Sequence, residues 1–163
     1  MSATFDPTAV LRVLAEHEVR FVLIGGIAAA IHGSPYVTTD IDVTPLVARE
    51  NLDRLSEALR ALDARIRTEG VDGGLPFAHD AESLLRSTIW NLTTKHGDVD
   101  LVLVPAGTAG YDDLVRDSER LEILGVEVRV ASLADVVRSK AAAGREKDRL
   151  QLPLLRRLLD ETS

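Results

Sequence analysis

The sequence contains no cysteine among its 163 residues, which excludes disulfides, thiolate metal sites and a cysteine nucleophile together. Aromatic residues are scarce, at 4%. Tyr36, Trp90 and Tyr111 are too scattered to read as a platform for stacked bases, and Trp90 reads as core. No apolar run approaches the ~18 residues of a membrane span. The longest, around Phe21 to Ile31, is broken by Gly25 and Gly26. Met1 to Pro7 lacks a basic segment followed by an apolar one, so no secretory leader is read there and the expected location is the cytoplasm, with no membrane partner. The histidines, His17, His32, His79 and His96, show no metal-ligand spacing.

What is present is ordinary for a globular chain: 45% apolar and 28% charged residues. The length suits one domain spanning 1–163, large enough to bury roughly two thirds of its unfolded surface. The net charge of −7 argues against a general nucleic-acid coat. That charge is uneven. Residues 131–163 carry 7 basic and 5 acidic groups, a balance of +2, against 12 and 21, a balance of −9, in residues 1–130. A metal suits the acidic part and phosphates the basic tail, although an Arg-rich solvated helix is an equal reading of the latter.

Asp6-Pro7 is an N-cap followed by proline at the first helical position, opening a helix to about Glu18. Arg20 to Ile24 reads as a buried strand ending in Gly25-Gly26, and Ile27 to His32 as a short helix stopped by Gly33. Thr38 to Val43 reads as a strand closed by Pro45. Asn51 can cap a helix through Leu62, with Leu52, Leu55, Leu59 and Leu62 in one stripe. A short strand is expected at Ala64 to Arg67, followed by a mobile loop to Ala78. Asp80 caps a short helix to about Ser87. Ile89 to Thr94 and Val99 to Val104 form a hairpin pattern around Lys95-His96-Gly97-Asp98. Tyr111 to Ser118 is a short helix, and Leu121 to Leu124 with Val126 to Val130 a second hairpin turning at Gly125. Ser132 caps a helix to Gly144; a last helix from about Arg145 to Leu159 contains Pro153, where a kink or restart is expected. The order predicts an α/β (α+β) fold with a mixed central sheet flanked by helices, and a C-terminal helical segment over 131–163.

Three features carry chemistry. Gly25-Gly26, between a buried strand and a helix, lets backbone N–H groups approach a triphosphate, although such turns are commonly structural. Asp40 and Asp42 stand two apart on a strand, so both carboxylates emerge on one face. Two like charges that close are unfavourable unless a cation lies between them, and carboxylates plus phosphates are what Mg²⁺ prefers. Asp98 and Asp100 repeat the pattern before the apolar run Leu101 to Val104. Asp100, the deeper of the two, is the favoured third carboxylate, completing a two-metal site or serving as base. Asp98, beside Gly97, can instead shape the turn.

Gly25-Gly26, a gap of thirteen residues, Asp40-Ile41-Asp42 and a later Asp100 together resemble the DNA polymerase β superfamily of nucleotidyltransferases. More narrowly, the chain resembles the bacterial AbiEii/MenT type. There a C-terminal Lys…Gly-Arg-x-Lys-Asp segment follows, here Lys140, then Gly144-Arg145-Glu146-Lys147-Asp148. The resemblance runs from about Phe21 to Leu159. It implies a nucleotidyltransferase fold and transfer of a nucleotidyl group from an NTP to a hydroxyl of tRNA or protein, with pyrophosphate leaving. It further implies metal on Asp40, Asp42 and Asp100, triphosphate on Gly25, Gly26 and Lys140, and a cognate antitoxin as partner. Arg145 and Asp148 join the nucleotide-binding set, and Asp148 would fix Lys140, Arg145 or an acceptor group. A Lys facing the cleft supplies a point charge and an Arg a bidentate fork, while both could also be exposed helix charges. Tyr36 stands where many relatives carry a basic residue. The chain is shorter than the longer toxins of this type, which leaves the acceptor open.

Two functions from different classes follow. One is an active, Mg²⁺-dependent nucleotidyltransferase, such as a toxin–antitoxin component. The other is a catalytically silent nucleotide-binding or antitoxin-like module acting through a protein partner. Base recognition is expected to draw on Val71 to Ala78.

Overall fold

The structure, a computed structural model, describes residues 4–162; residues 1–3, the front of the segment read for a leader, lie outside it. Asp6 accepts a hydrogen bond from the Ala9 N–H and caps α1 (Pro7–Glu16), which buries Val10, Leu11 and Leu14. Strand β1 (Phe21–Ile24) is buried throughout. It runs directly into α2 (Gly25–Ile31), so both glycines belong to the helix rather than to a loop before it. Strand β2 (Asp40–Pro45) ends on its proline.

Helix α3 (Arg49–Ala61) buries Leu52, Leu55 and Leu59, and Leu62 just beyond it is buried as expected. Asn51 is not its cap. It is the third helical residue, fully buried, and its amide is spent on β1 and the strand β2 exit: it accepts from the Arg20 N–H (2.7 Å) and donates to the Arg20 and Leu46 carbonyls (2.9 and 2.8 Å). Burial made this polar side chain a tie between elements, because an unpaired buried amide costs about 1–3 kcal/mol.

The expected mobile loop after β3 (Arg65–Thr68) is instead a strand, β4 (Val71–Leu75), paired antiparallel with β3. After α4 (Ala81–Leu84), β5 (Ile89–Thr94) and β6 (Gly97–Val102) make the expected hairpin. Its turn is shorter than read: Thr94 pairs with Gly97, so Gly97 and Asp98 already belong to β6. Helix α5 (Tyr111–Leu114) passes into a 3-10 turn at Val115–Asp117, followed by the hairpin β7 (Glu119–Ile123) and β8 (Val126–Val130). Ser132 caps α6 (Leu133–Ala143) by accepting from the Asp135 N–H, and Gly144 ends it at φ 62°. Helix α7 (Glu146–Thr162) continues through Pro153 without a restart.

The eight strands form one mixed sheet in the order β4-β3-β5-β6-β2-β1-β8-β7. Two pairs are parallel, β2 with β6 and β1 with β8; the others are antiparallel. At the centre, Ile41, Val43, Leu92, Val99 and Leu101 bury one face into the core. The intervening residues, Asp40, Asp42, Asp98 and Asp100, emerge on the other. The sheet's alternation is what gathers the acidic groups. Among the described residues no helix is long and apolar enough to cross a membrane.

Candidate active site

The parallel register of β2 and β6 sets Asp40 beside Asp98 and Asp42 beside Asp100. Asp40, Asp42 and Asp100 each present a carboxylate oxygen, and these atoms lie within 4.8 Å of one another. The Thr38 hydroxyl donates to the Asp40 carbonyl (3.1 Å) and to its carboxylate (3.4 Å), fixing the lead into β2. Gly25, at φ +74°, lies directly under Asp42: a Cβ there would run into the Asp42 carboxylate. A Cβ on Gly26 would press the Thr38 hydroxyl at 2.9 Å. The glycine pair therefore makes room for the acidic strand, a requirement that a bare Gly-Gly does not announce.

Burial raises the Asp42 carboxyl to about 7, helped by the charges of Asp40 and Asp100, with Lys147 pulling the other way. Burial and a hydrogen bond with Asp40 raise Asp100 as well, against the opposing charge of Arg67. A site that strains to stay ionised without a counter-cation is chemically disposed to accept one.

These groups open on a cleft of about 430 Å³, lined also by Gly25, Gly26, Lys140, Arg145 and Lys147. Helices α6 and α7 bring the cations to the sheet. Asp148 does not line the cleft. Fully buried, it holds the cations in place: the Lys140 ammonium lies 3.6 Å away, and the Arg145 guanidinium donates to both its oxygens at 2.8 and 3.3 Å. It also accepts from the Arg145 N–H (3.2 Å), the reciprocal half of a capping box opening α7. Although burial pushes the Asp148 carboxyl up, Arg145 and Lys140 outweigh that and hold it below the usual range.

Sequence reasoning missed Arg67. Its Nη2 lies 2.6 Å from Asp100 Oδ1 and its Nη1 3.1 Å from Asp98 Oδ2. Asp98 is thereby engaged outside the three-carboxylate cluster. The Val71 to Ala78 segment contributes no lining residue to the cleft; its strand lies at the far edge of the sheet. Tyr36 and Val37, the latter 92% exposed, line the cleft from the segment before β2. The His32 ring bonds the Ala131 carbonyl, the His17 ring the Val13 carbonyl and the His79 ring the Ser56 hydroxyl. Trp90 is half-buried, donating to the Leu84 carbonyl and packed against Phe77 with the rings tilted by 31°.

No protein-family model matches the chain, and no curated protein matches it in sequence. Solved structures do match. A Thermotoga maritima protein provisionally described as a nucleotidyltransferase superposes with a TM-score of 0.55 at 17% identity, over 98% of this chain and 97% of its own. The lincosamide antibiotic adenylyltransferase LnuA, in its lincomycin-bound form, gives 0.62 at 11% identity over 96% and 99%. The antibiotic-resistance factor ANT(2'')-Ia in solution gives 0.57 at 16% identity over 91% and 80%. Identities this low speak for the fold alone, and on the fold the three agree. The chain has the nucleotidyltransferase fold.

Proposed function

We propose that this chain is a Mg²⁺-dependent nucleotidyltransferase moving an NMP from an NTP to a hydroxyl. The observation that carries this is the convergence of Asp40, Asp42 and Asp100, within 4.8 Å through their oxygens, on a cleft whose other wall is Lys140, Arg145 and Lys147. A hard, oxygen-seeking cation fits this donor set, since three carboxylates with no sulfur or imidazole favour magnesium-type ions. Bound there on Asp40, Asp42 and Asp100, Mg²⁺ would neutralise phosphate charge and activate the acceptor oxygen. Lys140 and Arg145, held by Asp148, would bind and orient the triphosphate with Lys147, and Gly25-Gly26 would let it approach the backbone. The acceptor oxygen forms the new bond to the α-phosphorus as the α–β bridge breaks, pyrophosphate leaves with that electron pair, and Asp100 takes the hydroxyl proton.

The AbiEii/MenT-type reading adds tRNA or protein as acceptor, a cognate antitoxin as partner and the cytoplasm as location; the Lys140 to Asp148 segment is its support. The antibiotic enzymes among the structural neighbours put ATP first among donors and add hydroxyl-bearing antibiotics to the acceptors to be tried.

The test is incubation of wild type and Asp42→Asn with each labelled NTP, Mg²⁺ and bulk tRNA, cell-lysate protein or antibiotic. Label transfer by wild type that disappears in Asp42→Asn supports the enzyme. NTP binding without transfer to any acceptor favours the silent, partner-dependent module. NTP binding unaffected by removal of Mg²⁺ would count against the role given to the carboxylates.

A further inference from the structure

We infer that Arg67 is a positioning residue of this site: it holds Asp100 in place from the side opposite the triphosphate cations, and Asp98 serves to hold Arg67. The inference rests on the nucleotidyl-transfer reading above and adds two side chains to it.

The geometry begins with the sheet order. Arg67 is on β3, separated from β6 by β5. Ile66 pairs with Leu92, and Asn91 pairs with Asp100, so Arg67 reaches across the strand between to meet the carboxylates of β6. Its two terminal nitrogens diverge onto two acids, Nη2 to Asp100 at 2.6 Å and Nη1 to Asp98 at 3.1 Å. Nη1 also approaches the Leu92 carbonyl at 3.5 Å. The rigid plane of the guanidinium means that fixing one end aims the other. Asp100 is only 14% exposed, so this contact is not one of the screened surface pairs that contribute little.

The arrangement gives each charge a separate task. Lys140, Arg145 and Lys147 come from the α6–α7 wall and face the phosphate side of the cleft. Arg67 lies outside that cleft and touches only β5 and β6 among its hydrogen-bonding partners there. With one oxygen of Asp100 committed to Arg67, the other is left to turn toward Asp40 and Asp42. Three carboxylates this close repel one another, and Arg67 supplies the positive charge that offsets this repulsion at Asp100. Asp98-Val99-Asp100 thus divides its labour: one acid belongs to the site and the other to the side chain that aims it. Partners of this kind around a metal-binding carboxylate change activity or metal affinity by about 10- to 100-fold when lost.

The experiment compares wild type, Arg67→Met, Arg67→Lys and Asp98→Asn in steady-state transfer and in Mn²⁺ binding followed by electron paramagnetic resonance without nucleotide. Arg67→Met is expected to lower kcat about 10- to 100-fold while KM for the NTP stays within about 3-fold, because Arg67 does not touch the triphosphate. Its Mn²⁺ spectrum changes. Arg67→Lys restores the charge without the fork and recovers part of the loss; Asp98→Asn loses about 5-fold. If Arg67→Met fails to fold, Asp98→Asn carries the test with the same two readouts. An Arg67→Met protein with unchanged kcat per folded molecule and an unchanged Mn²⁺ spectrum overturns the inference alone. A wild type that binds no Mn²⁺ and transfers nothing overturns the underlying reading, and this inference falls with it.

Discussion

The backbone of Gly25 lies against the carboxylate of Asp42, so closely that a methyl group at residue 25 and the Asp42 side chain cannot occupy the structure together. Gly25 also holds φ +74°, which L side chains rarely adopt. Gly25→Ala therefore carries two penalties, and an expected loss of about 1–3 kcal/mol in urea unfolding. Gly26→Ala meets the Thr38 side chain, its hydroxyl at 2.9 Å and its Cβ at 3.0 Å, but has no positive φ, so it should lose about 1 kcal/mol, less than Gly25→Ala. Equal losses at the two positions would contradict this geometry.

Asp42 should make the metal-free protein less stable as pH rises. Its carboxyl titrates near 3.8 when unfolded and near 7 in the folded chain. The folded state thus keeps a proton that the unfolded state releases. The stabilisation is complete below about pH 4 and is lost as pH rises through about 7. Asp42→Asn removes the titration. Thermal unfolding without divalent ions should show wild type losing stability relative to Asp42→Asn between pH 4 and 8, while transfer activity in the variant falls about 100-fold or more. Added Mg²⁺ should raise the Tm of wild type and not of the variant.

Asp148→Ala leaves Lys140 and Arg145 without the buried anion that gathers them. Breaking a buried pair from one side typically costs about 3–5 kcal/mol. Chemical unfolding measures that loss; nucleotide titration of the folded fraction should show weaker NTP binding. Asp148→Asn keeps an acceptor for the Arg145 N–H and should fall between the two.

Asn51→Ala separates structure from site. Three buried hydrogen bonds to Arg20 and Leu46 vanish, and stability should drop by about 2–3 kcal/mol. Transfer per folded molecule should be unchanged, since Asn51 lines no part of the cleft. A fall in kcat at full folding would contradict that separation.

How much of this was legible in the sequence depends on how local each signal was. The Asp6-Pro7 start, the leucine stripe of α3, the Ser132 and Gly144 caps and the period-two acids of β2 are written in neighbouring residues, and the structure matches them. The strand at Val71–Leu75 was hidden by Gly73 and Gly74, whose φ values of 78° and 73° look like loop; pairing with β3 overrides that. Asn51 reads as a cap until its burial is known. Arg67 sits in an alternating Arg-Ile-Arg-Thr strand that resembles any solvated edge. Its meeting with Asp100 depends on the order β3-β5-β6, which no short-range pattern encodes. Asp148 enters the sequence reading only through the resemblance, as the group that would fix Lys140, Arg145 or an acceptor; its complete burial beneath both cations is visible only in the structure.

The most direct test uses one NTP labelled at two places. With α-labelled NTP, Mg²⁺ and a mixture of tRNA, lysate protein and hydroxyl-bearing antibiotic, the label should join an acceptor. With γ-labelled NTP it should appear only in pyrophosphate, and Asp42→Asn should abolish both. Transfer of the γ label to an acceptor, or release of inorganic phosphate in place of pyrophosphate, would contradict nucleotidyl transfer at Asp40, Asp42 and Asp100.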